Sequence, residues 1–181
     1  TDLAELVVTN FEMADYEFVA YKGKPKDGWP SIEEVVFTGS APRAEQFLNG
    51  IERGKIIGSG VNFQRDLGNT PACDMTPDRL AFEAGQARRG FPVTLRLLNI
   101  PDMKVLGMGG VLGVAQGSNE EPQFIVMEYW GAGEAGPKPI ALVGKGVTFD
   151  SGGLNLKPTD HIYEMHMDMS GGAAVIHSIC L

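Results

Sequence analysis

Thiols, positive charge and long apolar runs are all scarce in this sequence. There are two cysteines in 181 residues, Cys73 and Cys180. They lie far apart and in no metal-type spacing, so reduced thiols in a cytoplasmic protein are expected. Lys and Arg number 15 against 23 Asp and Glu, for a net charge of -8. That balance disfavours nucleic acid and anionic membrane surfaces as partners, because both require a basic footprint. It fits a soluble protein, and acidic side chains can serve as cation ligands. No apolar run approaches the roughly 20 residues of a membrane span. Thr1 to Leu6 lack the basic start and continuous apolar stretch of a signal peptide.

Several catalytic signatures are also missing. There is no His-Glu-x-x-His helix, so His161, His166 and His177 are read as structural or surface residues. There is no Gly-x-Ser-x-Gly elbow, which argues against a serine nucleophile of the α/β-hydrolase type. Gly144-Lys145-Gly146 invites comparison with a phosphate-binding loop, but such a loop needs Gly-Lys-Ser/Thr, and here Gly146 and then Val147 follow the lysine, so the match fails.

What is present indicates a folded chain of about one domain. The apolar content is 43% and the charged content 21%, enough to build a core. The chain starts at Thr1 and ends inside the apolar run Ala173 to Leu181, with no following helix-stop residue. A truncated chain is therefore expected.

Leu3, Leu6, Val7, Phe11, Ala14 and Phe18 recur at helical spacing. Residues 23–30 form a turn-rich linker, and 32–38 read as a strand. Ala44, Phe47, Leu48, Ile51, Lys55 and Gly58 mark one face of a long helix running towards Leu67, whose glycines blur its ends. Thr76-Pro77 opens another helix, as N-cap and first helical residue. Pro92 to Asn99, Gln123 to Trp130 and Pro139 to Gly144 are expected strands, and Pro101 to Leu106 a helical turn. Val105 to Ala115 is apolar and glycine-rich, and periodicity does not distinguish strand from helix there. An apolar helix is expected from Ser170 to Leu181. Alternating strands and helices give an α/β class with a largely buried mixed or parallel sheet. Val126, Ile140 and Val143 fall in runs apolar on both faces, as in central strands.

The chemistry-bearing stretch is Leu142 to Val175. A strand runs into a glycine-rich loop carrying Lys145, then Asp150-Ser151-Gly152-Gly153, then Lys157, then Asp168 between two methionines, then Gly171-Gly172 opening a helix. Ligands of open α/β sheets gather at the carboxyl ends of strands, where these residues fall. Asp150 and Asp168 supply the oxygens that divalent cations take. A lysine binds metal only as the neutral amine, and otherwise polarises a carbonyl as a cation. Plainer readings stand beside these: Asp150 as a turn residue, and Asp168 as a helix cap.

Taken as an ordered string, these residues resemble the leucyl aminopeptidases, the cytosol aminopeptidase family of two-metal exopeptidases. The string is Gly144-Lys145-Gly146-Val147-Thr148-Phe149-Asp150-Ser151-Gly152-Gly153, Leu156-Lys157-Pro158 and Met167-Asp168-Met169. Upstream, Arg65 to Ala72, Met75-Thr76-Pro77, Leu106 to Gly110 and Val114 to Ser118 fall in the family's order, so the resemblance covers about residues 35 to 181.

The resemblance implies a three-layer α/β/α sandwich with a mixed, largely parallel sheet. Residues 1–38 would be the tail of an amino-terminal domain, and 39–181 a partial catalytic domain. It implies Lys145, Asp150 and Asp168 as metal ligands, with Asp150 bridging. It implies Lys157 as the cation at the scissile carbonyl and Met165 as a wall of the side-chain pocket. Two divalent cations (Zn or Mn), peptide substrates and a homo-hexamer follow on the same footing. Family members continue to an Asn-Thr-Asp-Ala-Glu-Gly-Arg segment that adds two ligands and an Arg holding bicarbonate, and no such segment occurs here. This chain alone is expected to bind metal weakly and to hydrolyse peptides negligibly, because an incomplete ligand set does not fix the site. The alternative from another class is a non-catalytic binding or assembly module.

Overall fold

The computed structural model describes residues 2–38, 44–133, 136 and 138–180. Thr1, Leu181 and the start of the expected catalytic domain, residues 39–43, lie outside them. The described residues divide into two compact units, one ending at Asp66 and one running from Leu67 to Cys180.

In the first unit, α1 (Asp2–Ala14) packs on the first part of α2 (Ala44–Asn69). The contact does not use the expected apolar faces. Leu3 and Leu6 are exposed, while Ala4 and Val8 are buried. On α2 the buried positions include Gly50, Gly54 and Gly58, whereas Leu48 is exposed. Glycine recurs every fourth residue, so it lines one face of the helix. A Cβ on Gly54 would lie 2.7 Å from the Glu5 carbonyl oxygen, and one on Gly58 would lie 2.4 Å from Glu12 Cβ. The glycines therefore let the α2 backbone approach α1 closely, against Glu5 O, Val8 Cβ and Glu12 Cβ, while Leu3, Leu6 and Leu48 stay outside the seam. Polar bonds tie it further. Asn62 Nδ2 donates to Glu12 O at 2.8 Å, Arg65 Nη1 to Met13 O at 2.8 Å, and Arg53 Nε to Glu5 Oε2 at 2.7 Å.

The second unit holds α3 (Pro77–Ala87), β1 (Val93–Leu98), α4 (Ile100–Val105), α5 (Gly109–Ala115), β2 (Phe124–Tyr129), α6 (Thr159–Ile162), a 3₁₀ turn at Met165–Met167 and α7 (Ser170–Ser178). Thr76 caps α3 as expected, its hydroxyl accepting from Arg79 N at 3.2 Å, with Pro77 in the first turn. Asn99 and Asp102 form a reciprocal capping box on α4. The undecided segment after α4 is helical, as α5. β1 and β2 pair antiparallel, from Val93 opposite Tyr129 to Leu98 opposite Phe124. Met75, Met103 and Met169 are the largest fully buried side chains, each worth about 1.5–3 kcal/mol of apolar burial. α3 packs on both β1 and α7.

Among the described residues the sheet has two strands, both antiparallel. They do not by themselves form the largely parallel sheet of a three-layer sandwich, although the α/β content is as expected. Residues 32–38 and 139–144 are not strands. Ile140 and Val143, expected in a central strand, are 89% and 92% exposed. A strand requires a hydrogen-bonding neighbour, and a two-faced apolar strand requires layers on both sides. The described residues provide neither for 139–144. No helix among the described residues is long and apolar enough to cross a membrane.

Gly54→Ala forces backbone apart at the α1–α2 seam. It is expected to cost about 1–3 kcal/mol by overpacking, against at most about 1 kcal/mol gained in helix propensity. Gly113→Ala, in α5 with nothing within 4 Å of the new methyl, is expected to stabilise by up to about 1 kcal/mol. Thermal unfolding followed by circular dichroism checks both signs.

Candidate functional site

The loop after Gly144 is shaped by turns that bring its charges together. Asp150 Oδ1 accepts the Gly152 N–H at 3.0 Å, closing a side-chain turn. Gly152 and Gly153 follow with φ of 91° and 77°, a left-handed pair that side chains resist. The loop then folds back, with Lys157 N donating to Ser151 O at 2.9 Å. This return places the Lys157 side chain over the start of the same loop.

Lys157 Nζ lies 2.9 Å from Asp150 Oδ1, 3.3 Å from the Asp150 carbonyl oxygen and 3.0 Å from Met165 Sδ. A second ion pair joins Lys145 Nζ to Asp168 Oδ2 at 2.5 Å. All five residues singled out in the sequence therefore sit in two charge pairs plus one sulfur contact. Lys157 and Asp150 are more sheltered, at 24% and 32% side-chain exposure, than Lys145 and Asp168 at 51% and 36%. The turn reading of Asp150 and its reading as a charged site residue hold together, because one carboxylate oxygen meets both Gly152 N–H and Lys157. The capping reading of Asp168 does not hold. No side chain caps α7, and the Asp168 carboxylate faces Lys145.

Asp168 is positioned from both sides. The 3₁₀ turn precedes it, and the fully buried Met169 follows it and anchors the start of α7. The Ser170 hydroxyl donates to Met167 O at 2.6 Å, tightening the same corner. Glu164, just before the 3₁₀ turn, has φ of 65°, the one positive value on a non-glycine residue among those described. Such strain is retained where surroundings over-determine it. Nothing in the sequence marked Glu164, whose neighbours carry no turn signature.

The Asp150 carboxyl is held below its ordinary range. The Lys157 hydrogen bond is the largest cause, and partial burial opposes it. The Gly152 N–H and the charges of Lys157 and Lys145 add to the lowering. Burial on α7 pushes the His177 imidazole below its usual range.

The donor set fits a divalent cation only in part. Asp150 and Asp168 offer the hard oxygens such ions take, and each already attracts a lysine ammonium. Among the described residues, no group of three His, Cys, Asp or Glu side chains could hold a metal. A neutral Lys145 would be the third donor.

The Asp150–Lys157 pair has a defined pH signature. With the folded value lowered from 3.8, its stabilisation is complete above that pH and is lost as pH falls through the depressed value. In a carbon-detected NMR titration, the Asp150 carboxyl is expected to have its midpoint below 3.8. In Lys157→Met the midpoint should move up. A midpoint indifferent to that substitution would show that Lys157 does not set it.

Comparison with known proteins follows the same residues. The catalytic domain of the cytosol aminopeptidase family matches residues 62–181. A probable cytosol aminopeptidase of Roseiflexus castenholzii is 41% identical over 169 residues, covering 92% of this chain and 34% of its own length. One from Nitrosococcus oceani is 39% identical over 181 residues, covering 97% of this chain and 35% of its own length. The crystal structure of cytosol aminopeptidase from Coxiella burnetii superposes with a TM-score of 0.79 at 26% identity, covering 99% of this chain and 35% of that one. The bottromycin maturation enzyme BotP in complex with Mn superposes with a TM-score of 0.78 at 27% identity, covering 98% of this chain and 35% of that one. The chain thus spans about a third of the length of the relatives it matches, and it belongs to the cytosol aminopeptidase family.

Proposed function

We propose that this chain carries one part of a metal-dependent aminopeptidase active site, which releases N-terminal, leucine-like residues from peptides with the aid of two divalent cations. The observation that carries the reading is the pairing of Lys157 with Asp150 and of Lys145 with Asp168, in a chain of this family. Lys145, Asp150 and Asp168 would hold metal, with Asp150 shared. Bound cations supply Lewis acidity at the scissile carbonyl.

Lys157 adds a fixed positive charge. Its ammonium is oriented by the Asp150 carboxylate, the Asp150 carbonyl and Met165 Sδ. A charge already aimed where negative charge develops requires no reorganisation during the reaction. Met165, in contact with that ammonium, would line the pocket for the substrate's first side chain. Mn is favoured by the BotP complex, and Zn remains in the same donor class.

The division into a tail at 1–38 and a partial catalytic domain at 39–181 belongs to the same proposal. So do a three-layer sandwich in the longer polypeptide, a hexamer and a cytoplasmic location. In that longer fold the exposed 139–144 segment would gain strand neighbours. Bicarbonate has no Arg here to hold it in the way the resemblance implies.

A second reading, a non-catalytic binding or assembly module, is favoured by one observation: each carboxylate of the site is engaged by a lysine. Titration calorimetry separates the two. Weak, chelator-reversible Mn²⁺ binding is expected, lost in Asp150→Asn with Asp168→Asn. Release of product from a leucine chromogenic amide should be negligible for this chain alone. Absence of Mn²⁺ binding would favour the module, and turnover at a rate typical of intact aminopeptidases would overturn the account of incompleteness.

A further inference from the structure

Lys145 and Asp168 are 23 residues apart in sequence, and what brings them together is not their own ion pair. An exposed lysine–carboxylate pair is a weak fastener, worth at most about 1 kcal/mol. A stronger constraint lies directly beneath it. Gly172 N, in the first turn of α7, donates to Lys145 O at 2.7 Å. Around that bond the loop and the helix touch as bare backbone. A Cβ on Gly144 would lie 2.2 Å from Gly171 O and 2.8 Å from Gly172 Cα, distances that real Cβ atoms do not show. A Cβ on Gly172 would lie 2.9 Å from Lys145 O, and one on Gly171 3.3 Å from Lys145 N.

None of these three glycines has positive φ, so backbone freedom is not the reason for them. The reason is space. The fit is also one-sided: Gly146, in the same loop, would carry a Cβ whose nearest neighbour is Leu80 Cδ2 at 3.6 Å, an ordinary contact. The crowding is therefore directed at the start of α7, two to four residues after Asp168.

We propose that Gly144, Gly171 and Gly172 form a positioning clasp that fixes the distance between Lys145 and Asp168. The clasp acts through backbone and touches no substrate. It sets the separation of two side chains that the proposed function reads as metal ligands, and to that extent it rests on that reading. Its geometric content stands without a metal. Adding one methyl at Gly144 pushes the loop off α7, breaks the Gly172–Lys145 bond and separates the pair. Met169, fully buried, keeps α7 in place, so the loop is the part that yields.

The test is zero-length carbodiimide coupling of the purified chain, read by peptide mass spectrometry. Such coupling joins an amine to a carboxylate only where the two touch. The expected result is a Lys145–Asp168 cross-link that falls several-fold in Gly144→Ala and less in Gly171→Ala, but persists in Gly146→Ala. The Lys157–Asp150 cross-link serves as the internal standard and should be unchanged in all of them. Circular dichroism identifies any variant that fails to fold, in which case the milder Gly171→Ala carries the test.

Co²⁺ absorption spectra are recorded in parallel. Affinity in Gly144→Ala should fall by about tenfold or more, as when a support of a metal ligand is removed. An undiminished Lys145–Asp168 cross-link in folded Gly144→Ala and Gly171→Ala would overturn the clasp, and so would its absence from the unsubstituted chain. Cross-links that follow the expected order while Co²⁺ binds no form of the protein would uphold the clasp and overturn the metal reading.

Discussion

The positive charge of Lys157 is turned inward, and the geometry of the site follows from that. Its ammonium touches the Asp150 carboxylate, the Asp150 carbonyl and the Met165 sulfur. To reach them, the chain must reverse between Ser151 and Lys157, which the left-handed Gly152 and Gly153 allow. Reversal brings Asp150 back against Lys157 and holds its carboxyl in the charged form. Met165 is drawn in from the far side, so the residues before Asp168 are tied to the loop that carries Asp150. A neutral side chain at 157 would leave the loop with its backbone turn but nothing to join its two ends to Met165.

Close backbone approach is the second theme, and it occurs separately in each unit. In the first, Gly54 and Gly58 let α2 meet α1, where Ala4 and Val8 are the buried residues among those described. In the second, Gly144 and Gly172 let a loop sit on the start of α7. Both arrangements gain little apolar burial and depend instead on the absence of a side chain. Substitutions there act by overpacking, and their cost is set by how far the neighbouring backbone can move.

Signals that act within a few residues are legible in the sequence. Thr76-Pro77 specifies the start of α3, and the composition of Pro92 to Asn99 and Gln123 to Trp130 specifies the two strands. Their physical basis is a cap or a side-chain preference within a few residues. Features that require distant partners are less legible. The apolar run at 139–144 has strand composition, but a strand is a relation between two segments, and the described residues do not supply the second. On α1 and α2 the helical spacing of large apolar residues marks Leu3, Leu6 and Leu48, which are exposed, whereas the seam runs along Gly50, Gly54 and Gly58.

The site residues Lys145, Asp150, Lys157, Met165 and Asp168 were legible only as an ordered string, because each alone has an ordinary reading. Their pairing, lysine to carboxylate, and the left-handed Glu164 were not legible at all. The Lys145–Asp168 pair depends on how the loop and α7 meet in space, and the Asp150–Lys157 pair on the reversal at Gly152 and Gly153.

Anomalous diffraction from crystals of this chain grown with Mn²⁺ tests the central claim most directly. The account predicts one Mn²⁺ peak within coordination distance of both Asp150 and Asp168, with Lys145 Nζ moved off the Asp168 carboxylate. Saturating Mn²⁺ that leaves both lysine–carboxylate pairs intact, with no peak between the two aspartates, would contradict it.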